Sequence, residues 1–244
     1  MGALFSVVYG LAAYAVFFGT FAYAIGFIGN VFVPKSIDTG TPAPLAEALI
    51  VNLALLGLFA VQHSGMARRS FKRWWTRSVP PAVERSTFVL ASSLVLALLL
   101  WQWRPIPEPV VWSIESAAAR ETVQAVFWLG WAVLLTSSFL INHFELFGVS
   151  QVVAHLTGGE LSKPEFRTPF FYRYVRHPLY LGFLLGFWAA PVMTAGHLLF
   201  AIGCTGYILV GIWLEERDLI AQFGEKYRRY RNQVGMLLPW RNAH

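Results

Sequence analysis

No charged residue occurs before Lys35, and the stretch Leu4 to Val33 is apolar, aromatic-rich and studded with Gly10, Gly19, Gly26 and Gly29. About 20 apolar residues suffice to cross a hydrocarbon core of about 30 Å. Glycines of this kind let membrane helices approach closely. Further apolar runs follow at Leu45 to Val61, Thr87 to Trp103, Thr122 to Ile141, Pro178 to Met193 and Leu198 to Leu214. Hydrophobic residues make up 56% of the 244 and charged residues 13%, and mean hydropathy is +0.52. Too little polar surface exists to wrap a soluble globule. The expected fold is an all-α polytopic membrane protein with about six transmembrane helices, the last two a hairpin.

Charge sets the expected orientation. The loop from Gln62 to Arg85 carries Arg68, Arg69, Lys72, Arg73, Arg77 and Arg85 against the single acid Glu84. Lys and Arg accumulate on cytoplasmic loops, so this loop, the segment Asn142 to His177 and the basic tail are expected inside, with both termini. Arg104 to Glu121 is then external. Trp74 with Trp75, and Trp101 with Trp103, read as anchors at opposite interfaces. The net charge of +6 needs no nucleic acid to explain it. The start lacks a basic region and a small-residue cleavage site, so a retained first helix is expected. We expect a bacterial inner-membrane protein with one domain over residues 1–244. Cys204 is alone in the chain and reads as a packed helix residue; no cysteine cluster suggests a metal.

Past Glu216, Leu219, Ile220, Phe223, Tyr227, Tyr230 and Val234 recur at helical spacing, interrupted by Gly224. This predicts an amphipathic interfacial helix.

Polar groups then fall at helix ends on one expected face: His63-Ser64, Asn142-His143-Phe144-Glu145, Arg176-His177-Pro178 and Glu215-Glu216. Ionisable groups near the hydrocarbon cost free energy unless paired or functional. Interfacial anchoring explains any one of them; four together favour a site. Pro178 at the first position of a helix makes His177 its N-cap, and free N–H groups with Arg176 suit an anion. Glu215 and Glu216 are expected at a helix C-terminus, where acids are disfavoured and need a partner. Arg176 or Arg217 is one such partner, the ribose hydroxyls of a nucleoside cofactor another.

Arg176-His177-Pro178-Leu179-Tyr180-Leu181-Gly182, then Glu215-Glu216, Leu219, Phe223-Gly224, Tyr227, Tyr230 and Pro239, resemble the isoprenylcysteine carboxyl methyltransferase and phospholipid methyltransferase superfamily. Its members are integral membrane enzymes that use S-adenosylmethionine. Upstream, Phe59 to Ser64, Ile141 to Gly148 with Gln151, and Pro191 to Thr194 with His197 resemble the bacterial methanethiol S-methyltransferase family, which makes dimethyl sulfide. The resemblance implies a cofactor-binding part at about 142–244, with His177, Tyr180 and Glu215 on the cofactor, joined by Gln151, Phe166, Tyr172, Arg176 and Glu216. One departure stands out. Carboxyl methyltransferases carry an arginine one turn before the position of Glu215, and this chain has Gly211, which suits a small neutral thiol.

Methyl transfer from a sulfonium needs a positioned thiolate, and alkyl thiols are mostly protonated at neutral pH. His143 and His63 are the candidate bases, with Glu145 to orient a histidine; Asn142 and Ser64 are candidate substrate contacts. A structural role remains open for each. Two other substrates, a lipid or a prenylated thiol, stay possible. From another class, membrane proteins of the nitrite-metabolism and carotenoid-isomerase type share a His-Ser element like His63-Ser64, implying haem on His63 with His143 or His155. A transporter is disfavoured, since no inverted repeat is visible. Oligomeric state is not encoded legibly.

Overall fold

The computed structural model describes residues 2–161 and 165–239. Lys163, in the segment Asn142 to His177 expected inside, lies outside them, as does Trp240. The protein is an all-α polytopic membrane protein. Five helices are long and apolar enough to cross a bilayer: α1 (Ala3–Gly29), α2 (Leu45–Ala67), α4 (Pro81–Gln102), α5 (Ala117–Leu140) and α9 (Ala195–Phe223). Between them lie the short helices α3 (Arg69–Trp75), α6 (His143–Leu146), α7 (Val149–Thr157) and α8 (Pro178–Trp188), and α10 (Glu225–Gln233) closes the chain. Lipid-facing positions are visibly apolar, with Ile50, Leu53, Val61, Leu129, Val210 and Trp213 all exposed.

The chain divides into two compact units. The first comprises Met1–Trp112, Asn142–Ser162 and Met193–Leu198. In it α1 packs on α4 and α7, and α2 on α4. A Cβ at Gly10 would lie 2.7 Å from a Val152 methyl and 3.2 Å from the Ser86 hydroxyl, so the missing side chain is what lets α1 close on both neighbours. α1 ends at Asn30, whose φ of 55° is one that Asn tolerates. The loop then folds back: Ile37 N–H donates to the Phe27 carbonyl at 3.0 Å, and the buried Trp103 indole donates to the Ile37 carbonyl at 3.1 Å. Trp103 is therefore a core residue, not the interfacial anchor expected, whereas Trp101 is exposed. Asn52, buried within α2, exchanges two hydrogen bonds with the Arg104 backbone, at 2.7 and 2.9 Å. A buried amide inside a membrane helix is thereby satisfied.

At the same end of this unit, the Thr194 hydroxyl donates to Asp38 Oδ1 at 2.5 Å and accepts the His197 N–H at 3.1 Å. Thr194 thus caps the start of α9, and Asp38, itself held by Asn30 at 2.8 Å, fixes the cap. The link between the last two expected spans contains a strand, β2 (Val192–Thr194), which pairs with β1 (Val110–Ser113).

The second unit comprises Ser113–Ile141, Lys163–Val192 and Leu199–His244. Its seam is α5 on α8. A Cβ on Gly182 would meet the Gly130 carbonyl oxygen at 2.6 Å, and one on Gly186 the Trp131 ring at 2.9 Å. Backbones touch there because both sides lack side chains. The expected fifth span, Pro178 to Met193, is helical only to Trp188, about 16 Å at the usual rise. That is too short to cross the hydrocarbon alone. α9, at 29 residues, is about 44 Å long. It runs through Glu215 and Glu216 to Phe223, so the two acids are interior helix residues and not at a C-terminus as expected. The amphipathic segment accordingly splits at Gly224, whose φ is 58°, and only its second part forms the separate helix α10.

Candidate active site

In the second unit, His177 caps α8, with Pro178 at the first helical position. Its ring is buried, and Nε2 stands 3.1 Å from Glu216 Oε1. Arg176 Nε donates to the same oxygen at 2.7 Å. Arg231 Nε of α10 reaches Glu216 Oε2 at 3.4 Å. Arg176 Nη1 donates to the carbonyls of Arg231, at 3.0 Å, and Val234. Backbone bonds follow the same line: Arg176 N–H to the Gly235 carbonyl at 2.9 Å and His177 N–H to that of Met236 at 3.1 Å. The C-terminal segment is therefore strapped onto the Arg176-His177-Pro178 turn, and Glu216 is the anchor. Burying this carboxylate is offset by two guanidinium groups and an imidazole.

Glu215 behaves differently. Its side chain is 45% exposed, with His177 Nδ1 at 3.8 Å and the Tyr180 phenol close by. Gly211 lies one turn before it on α9, and a Cβ there would sit 3.8 Å from the Tyr180 oxygen. Tyr172 is half-buried nearby. Burial, then the charge of Glu215, push its phenol well above the ordinary range. Its carbonyl accepts the Tyr230 hydroxyl at 2.5 Å. Phe166 packs among Phe223, Tyr227 and Tyr230, with ring centroids 5.3 to 5.8 Å apart. The structure thus brings Phe166, Tyr172, Arg176, His177, Tyr180, Glu215 and Glu216 into one unit, with Glu215 the exposed carboxylate.

The first unit holds the other candidates. Asn142, at φ 85°, makes the left-handed turn that starts α6, and its amide donates to Glu145 Oε2 at 2.6 Å. His143 is 5% exposed, with Nε2 2.8 Å from the Tyr14 hydroxyl. Burial lowers its pKa from the ordinary imidazole value. Gln151 donates to the Glu145 carbonyl at 3.0 Å, while its buried Oε1 has no hydrogen-bond partner among the described residues. His63 and Ser64 lie inside α2, which extends to Ala67, and not beyond its end. His63 Nδ1 is 3.2 Å from the Ser92 hydroxyl, and its ring stacks on Phe59 and lies tilted against Phe88. Arg85, read from sequence as a loop charge, sits within α4. It donates to the Leu146 carbonyl at 2.7 Å and lies over the Phe88 ring at 5.1 Å. His155 is exposed on α7. No group of three metal-binding side chains occurs among the described residues.

The model of the family described as NnrU protein matches residues 51–238, which takes in every candidate above except Tyr14. The chain belongs to the NnrU protein family. Among curated relatives, this NnrU chain is 56% identical over 239 residues to the methanethiol S-methyltransferase of Mycobacterium tuberculosis, covering 98% of each chain. It is 59% identical to methanethiol S-methyltransferase 1 of Bradyrhizobium diazoefficiens, over 96% of this chain and 82% of the relative. Nurim of Bos taurus is 30% identical over 70% of this chain and 68% of its own. No solved structure matches.

Sequence reasoning missed Tyr14, Arg85 and Arg231 in this NnrU chain. Arg85 and Arg231 carried only a charge signal shared with their neighbours. Tyr14 stands in a charge-free helix where nothing local distinguishes it.

Proposed function

We propose that this chain is a membrane S-methyltransferase that transfers a methyl group from S-adenosylmethionine to methanethiol, releasing dimethyl sulfide. The observation that carries this reading is identity of 56–59% over at least 96% of the chain to proteins named methanethiol S-methyltransferase. At that coverage the shared segment includes every candidate site residue.

The donor-side residues fit a nucleoside cofactor. Glu215 offers an exposed carboxylate to hydroxyl groups, and Tyr172 and Tyr180 offer rings and phenols beside it. His177, Phe166 and Gln151 are assigned to the same role. Arg176 and Glu216 hold the site from behind through the C-terminal strap. S-adenosylmethionine supplies an electrophilic methyl group on a sulfonium. The chain's part is to hold the thiol in line, exclude water and take its proton. His143, Glu145 and His63 are assigned to the thiol side, with Asn142 and Ser64 as contacts. Gly211 leaves no cation for a carboxylate substrate. The whole forms one methyltransferase domain, with its donor-binding part at about 142–244, both termini and the donor site on the cytoplasmic face of the inner membrane.

The test supplies methanethiol and S-adenosylmethionine to membranes containing the protein and measures dimethyl sulfide in the headspace. The expected result is formation well above membranes carrying Glu215→Ala. Equal signal from both, or none from either, refutes the proposal.

A further inference from the structure

The Tyr14 hydroxyl and His143 Nε2, 2.8 Å apart, lie among aromatic rings. Phe17, Phe144 and Phe147 have ring centroids 6.1, 6.3 and 6.1 Å from that of Tyr14. Phe144 and Phe147 also flank His143, at 5.4 and 4.7 Å, and Phe17 stacks on Phe147 at 4.0 Å. Thioether and thiol sulfur make favourable contacts with aromatic rings, so such surroundings suit a small alkyl thiol. The two polar members differ in accessibility: His143 is 5% exposed, whereas Tyr14 is only half-buried. Of the two, the phenol is the more exposed group.

Resting on the thiol-methylation reading above, we propose that the Tyr14 hydroxyl, and not the His143 ring, is the group that receives the proton of the thiol, with His143 Nε2 accepting the phenol's own proton in the same step. The hydrogen bond of 2.8 Å between Tyr14 and Nε2 supplies the path, with Nε2 as acceptor and the other ring nitrogen carrying the hydrogen. The thiol S–H bond breaks and its proton passes to the Tyr14 oxygen. The Tyr14 O–H bond breaks and that proton passes to Nε2, giving an imidazolium. The thiolate electron pair forms the new S–C bond to the methyl carbon. The pair of the old C–S bond stays on the donor sulfur, which changes from sulfonium to neutral thioether. The imidazolium returns its proton to Tyr14, which releases one proton to water. Tyr14 is neutral before and after. Burial keeps His143 neutral at the outset and therefore ready to accept.

The experiment compares Tyr14→Phe and His143→Gln with the unaltered protein on two acceptors, ethanethiol and the far more acidic trifluoroethanethiol. A relay predicts a loss of about a hundredfold in turnover with ethanethiol and little loss with trifluoroethanethiol, which arrives largely ionised. A structural role predicts equal loss on both and would overturn the proposal, as would full activity of Tyr14→Phe on ethanethiol. A second readout needs no donor. Nitrogen-15 NMR of the imidazoles should show the signal lost in His143→Gln shifting, with the ring still neutral, when ethanethiol hydrogen-bonds to Tyr14, and not in Tyr14→Phe. Movement in both proteins overturns the relay. Absence of any thioether from the unaltered protein would instead sink the enzymatic reading, and the NMR result distinguishes the two failures.

Discussion

Arg176 Nε lies 2.7 Å from Glu216 Oε1 across forty residues of chain, with both side chains 10% exposed. The neighbouring Glu215 keeps 45% of its side chain exposed. One acid of the pair is consumed in holding the C-terminal segment, and the other is left open to a ligand.

Glu216→Ala should therefore act on stability. It leaves a buried guanidinium without its carboxylate, a loss of about 3–5 kcal/mol, read as an earlier thermal unfolding transition in detergent. Glu215→Ala should leave that transition nearly unchanged and weaken S-adenosylmethionine binding by calorimetry. The reverse pattern would mean the roles are exchanged.

The α5–α8 seam makes a second contrast. Gly182→Ala drives a methyl to 2.6 Å from a backbone oxygen, and overpacking of this kind costs about 1–3 kcal/mol. Gly19→Ala and Gly57→Ala place theirs where nothing lies within 4 Å, and should unfold at the parent temperature or slightly above it. Thermal melts of the three variants in one detergent decide it.

Thr194→Val removes the hydroxyl that accepts the His197 N–H and binds Asp38. Loss of a helix cap costs about 1 kcal/mol. Hydrogen exchange should quicken in the first turn of α9 and in the loop around Asp38, and stay unchanged in α10.

Acid should affect His143 in a definite direction. Its native pKa lies below the ordinary 6.5, so the unfolded chain binds more protons as pH falls through that region. The contribution of neutral His143 to stability is full above pH 6.5 and is lost as pH falls through the native value. If the proposed relay operates, turnover should hold to below pH 6.5 before dropping. The groups around it are Tyr14, Glu145 on its own helix and Arg85 at the Leu146 carbonyl. In His143→Gln the acid limb of the rate profile should vanish, and a limb that persists unchanged would assign it elsewhere.

Much of this architecture is legible residue by residue. Membrane helices declare themselves because transfer into hydrocarbon is a property of each side chain summed over a window. The His177-Pro178 helix start and the turn at Asn30 are equally local, resting on proline at a first helical position and on asparagine in a left-handed conformation. Even the interruption at Gly224 shows in the periodicity.

Tertiary structure alone decided three matters. It split Glu215 from Glu216, since continuing α9 to Phe223 turns adjacent residues to different surroundings. It shortened the expected fifth span to α8, because Val192–Thr194 pairs as a strand with Val110–Ser113. It also joined Tyr14 to His143, 129 residues away. Hydropathy, caps and turn residues are short-range physics and can be read along the chain. Partners of a buried charge or hydroxyl are chosen by which backbones pack together, and that choice is made only when the helices meet.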